Sequence, residues 1–156
     1  MRDKKYILCT KSDEETFSLG AQFASLEFNN ICMAGDLGSG KTVFSKGYAS
    51  GLGIDEYITS PTFNIINRYE KENITFYHMD AYRITDEDML YDIGFEEMFD
   101  EHCYVVIEWA DNIKNAISDQ AIWIDIVKDD NDLSIRYFII HCNQEEMEKL
   151  GKIRVC

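Results

Sequence analysis

The chain has 156 residues, 46% hydrophobic and 28% charged, the make-up of a globular domain with a sizeable core rather than of a disordered or fibrous chain. Fifteen basic against 29 acidic side chains leave a formal charge of −14, which repels phosphate backbones and argues against unaided nucleic-acid binding. Five cysteines without C-x-x-C spacing, and no signal segment or long apolar run, speak against a secreted disulfide scaffold and a membrane span; the expected address is cytoplasmic.

In chain order, residues 5–9 read as a short strand. Ser12 and Glu15 have the spacing of a capping box. The helix that follows shows Phe17, Ala21, Ala24 and Phe28 at helical intervals, and Asn29 and Asn30 end it. The apolar run Ile31-Cys32-Met33-Ala34 then leads into Gly35-Asp36-Leu37-Gly38-Ser39-Gly40-Lys41-Thr42, which matches the phosphate-binding pattern G-x-x-x-x-G-K-[ST] between a strand and a helix. Each residue type has a reason to be there. Glycines let successive backbone N–H groups converge on a phosphate at a helix N-terminus. Lys41 supplies a point charge to the β- and γ-phosphates, and the Thr42 hydroxyl completes a Mg²⁺ shell.

The helix opening at Gly40 carries Phe44, Tyr48 and Leu52 on one face and is closed by Gly51 and Gly53. The single proline, Pro61, stiffens a loop that leads into a strand. Residues 63–70 and 74–80 alternate as an antiparallel hairpin turning at Lys71-Glu72-Asn73, with Phe63, Ile65 and Tyr69 on one face and Ile74, Phe76 and His78 on the facing strand. Residues 85–88 cap a short helix, and Gly94 separates it from another at 95–99. The continuous β-rich run 103–107 suits a central strand buried on both faces and ends in Glu108-Trp109. Residues 121–128 and 133–142 pair as a second hairpin, and a polar helix over 144–150 follows. Cys32, Cys103 and Cys142 read as small buried hydrophobes, and the pairs His102–Cys103 and His141–Cys142 do not have the geometry of a zinc site. The sum is a single α/β domain over 1–156: a P-loop NTPase-like, mixed and partly parallel sheet flanked by helices and antiparallel hairpins.

A phosphate loop needs an acid at the end of a nearby strand to hold Mg²⁺. Two strands end that way. The run before Glu108 is the better buried parallel strand, so Glu108 takes the magnesium role and Asp80 orients or deprotonates the attacking water, with an exchange of the two left open. Thr62 sits in the Pro-stiffened loop where a hydroxyl can sense the γ-phosphate or merely serve structure. Arg83 is either a charge donor or a carboxylate partner, and Trp109 either core or a flank of the site. The absence of N-K-x-D disfavours a GTPase. The five arginines show no clustered pair, as a kinase lid requires, and the loop is not the G-x-G-x-x-G of dinucleotide binders.

Five runs, Gly35 to Thr42, Thr59-Ser60-Pro61-Thr62-Phe63, Tyr77-His78-Met79-Asp80-Ala81-Tyr82-Arg83, Asp92-Ile93-Gly94-Phe95 and Ile107-Glu108-Trp109, together resemble the bacterial TsaE family in order and spacing over residues 12–112. The departures are Met79 and Ala81, where larger apolar residues are frequent, and Ala110, where proline is. The resemblance implies a Mg²⁺-dependent ATPase needed for N6-threonylcarbamoyladenosine formation in tRNA, acting on the TsaB–TsaD complex and meeting tRNA only through it. It places Lys41, Asp80 and Glu108 in catalysis. It places Lys41 and Thr42 on ATP and Mg²⁺, Glu108 on Mg²⁺ and, more distantly, Asp13 near the nucleotide; the phosphate-loop motif itself adds Asp36, Leu37, Gly38, Ser39 and Gly40 as ATP contacts, and the Pro-stiffened loop adds Thr62 as a candidate. The rival readings are a small-molecule kinase and an adaptor that binds ATP without hydrolysing it.

Overall fold

The computed structural model describes residues 2–61, 64–100, 102–117, 119 and 121–154. Its centre is a seven-stranded sheet in the order β1-β7-β6-β2-β5-β4-β3, formed by Lys4–Thr10 (β1), Asn30–Gly35 (β2), Ile66–Lys71 (β3), Ile74–Asp80 (β4), Cys103–Glu108 (β5), Ile122–Lys128 (β6) and Arg136–Cys142 (β7). β2 runs parallel to both β5 and β6, and β4 runs parallel to β5. The pairs β3–β4, β6–β7 and β1–β7 are antiparallel. The expected mixed sheet is therefore present, and β4 belongs to both kinds of pairing.

Alternation along the strands divides the core. On one face Ile31, Met33, Val106, Ile124, Phe138 and Ile140 pack under α1 (Asp13–Ser25), α2 (Lys41–Gly51) and α4 (Gln144–Leu150). On the other, Cys32, Met79, Val105 and Ile107 pack under α3 (Met89–Asp92) and the 3-10 helices Phe95–Phe99 and Ala110–Ala116. β2 and β5 are thus covered on both sides, which is why they read as unbroken apolar runs. The second layer reaches Trp123 of β6 but stops short of β1 and of the far end of β6, where Ile7 and Val127 stay exposed.

Several local expectations are corrected. The buried stripe of α1 is Thr16, Leu19, Gly20, Phe23 and Ala24; of the expected face Ala24 and, just past the helix, Phe28 are buried, Ala21 is partly so, and Phe17 is 39% exposed. Ser12 does accept from Glu15 N at 3.1 Å, but the Glu15 carboxylate turns to Lys11 N, so the box is only half made. α1 ends at Ser25, before the two asparagines, with Glu27 in the left-handed region at φ 64°. The hairpin strand begins at Ile66; Ile65, at φ 62°, leaves extended geometry although its carbonyl still accepts from Asp80 N at 2.8 Å, and Phe63 lies outside the described residues. Residues 85–88 give α3 no side-chain cap; Asp86 instead accepts from Asp88 N at 2.9 Å. Cys103 is only partly buried, while burial pushes the Cys32 thiol up to about 12, which leaves it unreactive.

Gly51 does not close α2. It faces α1, and the turn is made by Gly53 at φ 86°. Gly47 is tighter still: a Cβ there would lie 1.9 Å from the Phe17 carbonyl oxygen, so α1 and α2 cross with backbone against backbone. Gly47→Ala is expected to cost about 1–3 kcal/mol through forced separation of the helices. Gly151, where a Cβ meets nothing nearer than 3.4 Å, should tolerate alanine. Urea denaturation of both variants checks this, and equal midpoints would contradict the close crossing.

Candidate active site

The C-terminal ends of three parallel strands, β2, β5 and β4, come out on one edge of the sheet, where open α/β sheets bind their ligands. β2 ends in Gly35, whose lack of a side chain is dictated by its neighbours: a Cβ would meet Ser39 Oγ at 2.7 Å and Ile126 O at 2.9 Å. The chain then curls through Gly38 at φ 75° and Gly40 at φ 105° into α2. Gly40 is the N-cap and offers no side chain, so the first N–H groups of α2 face the cleft uncapped.

The loop is braced from outside. Arg136 donates from Nε to Ser39 O at 3.1 Å and from Nη2 to Gly38 O at 3.2 Å, and Lys128 Nζ donates to Leu37 O at 2.7 Å. Both cations lie on the β6–β7 hairpin, paired with each other in register. They occupy carbonyls on the outside of the curl, which helps leave the amides to point inward.

Two acids stand at the strand ends, Asp80 opposite Glu108 in the β4–β5 register. The Glu108 carboxylate is buried. Its Oε1 accepts from Thr42 Oγ1 at 3.0 Å, and its Oε2 accepts from Ser45 Oγ at 3.1 Å and from His78 Nε2. His78 is wholly buried, with Nε2 against the Glu108 carboxylate and Nδ1 unpartnered among the described residues. Burial alone would raise the Glu108 carboxyl; the hydrogen bond from His78 and the two hydroxyls outweigh it and hold the group below its ordinary value. Burial raises Asp80, against the Tyr82 N–H that it accepts at 2.9 Å.

Lys41 is turned onto its own loop, donating to Asp36 O at 2.9 Å, to Ser39 Oγ at 3.2 Å and to Gly35 O. Its ammonium lies 4.2 Å from the centre of the Trp109 ring, which in turn packs on Tyr82. Burial pushes the Lys41 ammonium below its ordinary value, partly offset by Glu108 and Asp80.

These groups share one open cleft of about 400 Å³, lined by Asp13, Leu37 to Val43, Ser60, Asp80, Glu108, Trp109 and Arg136. Every candidate residue from Leu37 to Thr42, together with Asp13, Asp80 and Glu108, is therefore brought to one place, and Asp36 touches it through its carbonyl. Thr62 lies outside the described residues; Ser60, just before it, reaches Asp80 Oδ2 at 3.5 Å. Arg83 is exposed in the turn after β4 and does not line the cleft. A hydroxyl and a carboxylate oxygen 3.0 Å apart are hard ligands of the kind magnesium takes when phosphates and water complete its shell. Among the described residues there is no cluster of three or more His, Cys, Asp or Glu to hold a metal by protein groups alone.

The family model described as "Threonylcarbamoyl adenosine biosynthesis protein TsaE" matches residues 10–136. The chain belongs to the TsaE family. Among curated TsaE relatives, that of Bacillus subtilis is 38% identical over 117 residues, 75% of this chain and 73% of its own length. That of Rickettsia conorii is 34% identical over 140 residues, 88% and 79% of the two chains. Both are named tRNA threonylcarbamoyladenosine biosynthesis protein TsaE. The crystal structure of Bacillus subtilis YdiB superposes with a TM-score of 0.70 at 28% identity, covering 96% of this chain and 93% of the other.

Within this TsaE chain, sequence reasoning left three participants without a role. His78 carried a readable signal: two residues before Asp80 on one strand, it must share that acid's face. Ser45, one turn beyond Lys41 on α2, was visible in the same way. Arg136 had no local signal, since only the β6–β7 register brings it to the loop. If His78 holds Glu108, His78→Phe should lower stability by about 1–3 kcal/mol by leaving a buried carboxylate short of a donor. Glu108→Gln in that background should restore part of the loss. Urea titrations of the two variants and the wild type test this, and an unchanged midpoint for His78→Phe would remove His78 from the site.

Proposed function

We propose that this chain is the MgATP-binding and ATP-hydrolysing subunit required for forming N6-threonylcarbamoyladenosine in tRNA, and that it acts on the TsaB–TsaD complex rather than gripping tRNA itself. The observation that carries the reading is the single cleft in which an uncapped helix N-terminus, Lys41, and the Thr42–Glu108 pair face one another. Membership of the TsaE family and the names of its relatives support the pathway. The charge of −14 suits a subunit that meets tRNA only through partners. Among the described residues no helix is long and apolar enough to cross a membrane, in keeping with work in the cytoplasm.

The residue roles follow from position. The loop amides and the α2 N-terminus accept the phosphate chain. Lys41 exchanges its contacts with Asp36 O and Ser39 Oγ for phosphate oxygens, moving charge to where it develops in the transition state. Thr42 and Glu108 would hold magnesium, which when bound screens the β- and γ-phosphate charge. Asp80, raised by burial and at the cleft wall, accepts a hydrogen bond from the attacking water and aims its oxygen at the γ-phosphorus. As the water oxygen bonds to the γ-phosphorus and gives its proton to the Asp80 carboxylate, the bond from the γ-phosphorus to the bridging oxygen breaks, ADP keeps that electron pair, and ADP and phosphate leave. Trp109 flanks the cleft beside Lys41 and is backed by Tyr82.

Lys41→Ala is expected to abolish binding of a fluorescent ATP analogue, and wild-type affinity in that variant would remove the phosphate-loop assignment. Glu108→Ala should lower Mg²⁺-dependent phosphate release roughly 10²-fold; an unchanged rate, with Asp80→Asn now inactive, would move the metal role to Asp80. Phosphate release should rise when purified TsaB and TsaD are added. Transfer of labelled γ-phosphate to a metabolite would instead indicate a kinase. No release at all with both partners present would indicate an adaptor.

A further inference from the structure

The run Asp92-Ile93-Gly94-Phe95 makes no contact with the nucleotide cleft, yet it shapes a second concavity. Gly94, at φ 73°, turns α3 sharply into the Phe95–Phe99 3-10 helix. A groove of about 670 Å³ opens between that turn and residues 115–116 of the Ala110–Ala116 helix. Its floor is apolar, made by Leu90, Phe95, Phe99 and Ala116, with Phe95 and Phe99 edge to face at 5.2 Å. Tyr91 stands at the lip, 76% exposed. Glu87, Asp88, Glu96 and Glu97 rim it, all exposed, and among the described residues lining it none is basic.

An apolar slot large enough for one or two side chains, ringed by four carboxylates, fits one kind of visitor: an apolar anchor flanked by lysine or arginine. The carboxylates attract such a segment and repel acidic ones, including a second copy of this chain at −14.

The groove is also wired to the cleft. One wall descends from the end of β4, which carries Asp80; the other descends from the end of β5, which carries Glu108 and Trp109. Asn112 ties the two exits together, donating to Ala81 O at 3.0 Å and to Tyr82 O at 3.1 Å, and Ala81 N donates to Glu108 O at 2.9 Å. Both walls of the slot therefore hang from strand ends that carry cleft residues.

We infer that this groove is where a basic, apolar-anchored segment of the TsaB–TsaD assembly docks and through which it acts on hydrolysis, an inference that rests on the partnership proposed above. The test uses the full-length chain and purified TsaB–TsaD. Glu96→Lys/Glu97→Lys should weaken binding to the complex roughly tenfold or more and cancel the stimulated phosphate release. Nucleotide affinity and unaided turnover should stay at the wild-type level. Tyr91→Ser, which changes no charge, should weaken binding as well, and wild-type binding should fall as salt rises. Glu145→Lys/Glu148→Lys on α4, with the same change in net charge, should bind as wild type does. Groove variants that bind no worse than this α4 control would overturn the docking site while leaving the partnership intact. A wild-type chain that fails to bind TsaB–TsaD would overturn both.

Discussion

The Glu108 carboxylate is the constraint around which the rest of the molecule is arranged. It is 2% exposed, and a charge at that depth survives only if each oxygen is met. The partners come from two other elements: Thr42 and Ser45 from α2, His78 from β4. One carboxylate therefore fixes the distance between the phosphate-loop helix and two strands of the sheet. Removing any donor leaves the others holding a buried ion with too few hydrogen bonds, so the arrangement resists piecemeal change. It also explains why the two acids are shifted in opposite directions. Glu108 is enclosed and depressed by its donors, and Asp80, one strand over, faces the cleft and is raised by burial.

The phosphate loop depends on parts of the chain distant in sequence. α1 crosses α2 so closely that Gly20, Gly47 and Gly51 have no room for a side chain. That crossing carries Asp13, at the start of α1, to the rim of the cleft. From the other side, Lys128 and Arg136 take up three loop carbonyls in succession, on Leu37, Gly38 and Ser39. The C-terminal hairpin, which matched no motif in the sequence, thus has a definite task. It braces the loop from outside by occupying three of its carbonyl acceptors.

Lys41 is held in a satisfied pose rather than an empty one. Backbone oxygens and the Trp109 ring compensate a partly desolvated ammonium, and the same ring leans on Tyr82 in the turn after β4. On the function proposed above, phosphate oxygens would offer Lys41 stronger, charge-assisted partners than carbonyls do, which favours that exchange. Trp109 thus links Lys41 to the segment after β5, and the groove between the β4 and β5 exits lies along that segment.

Patterns of short range were decided by the amino-acid sequence alone: the phosphate loop, the central strand 103–107, both hairpins, the acids at two strand ends, and the resemblance to the TsaE family. In each the physics is local, since glycine at positive φ, alternation in a strand and unbroken apolar runs state their own requirements. Phase and register belonged to the tertiary structure. Phe17 sits at a helical interval and is nevertheless exposed, because the backbone contact at Gly47, not the apolar spacing, sets the rotation of α1. Gly51 resembles a helix stop and is a packing surface for the same reason. β4 looked like a hairpin strand alone, and only its parallel pairing with β5 sets Asp80 beside Glu108. Arg136 reached the phosphate loop, and the acidic rim met its apolar floor, by the same route: contacts between segments far apart in the chain, whose energies no window of neighbouring residues contains.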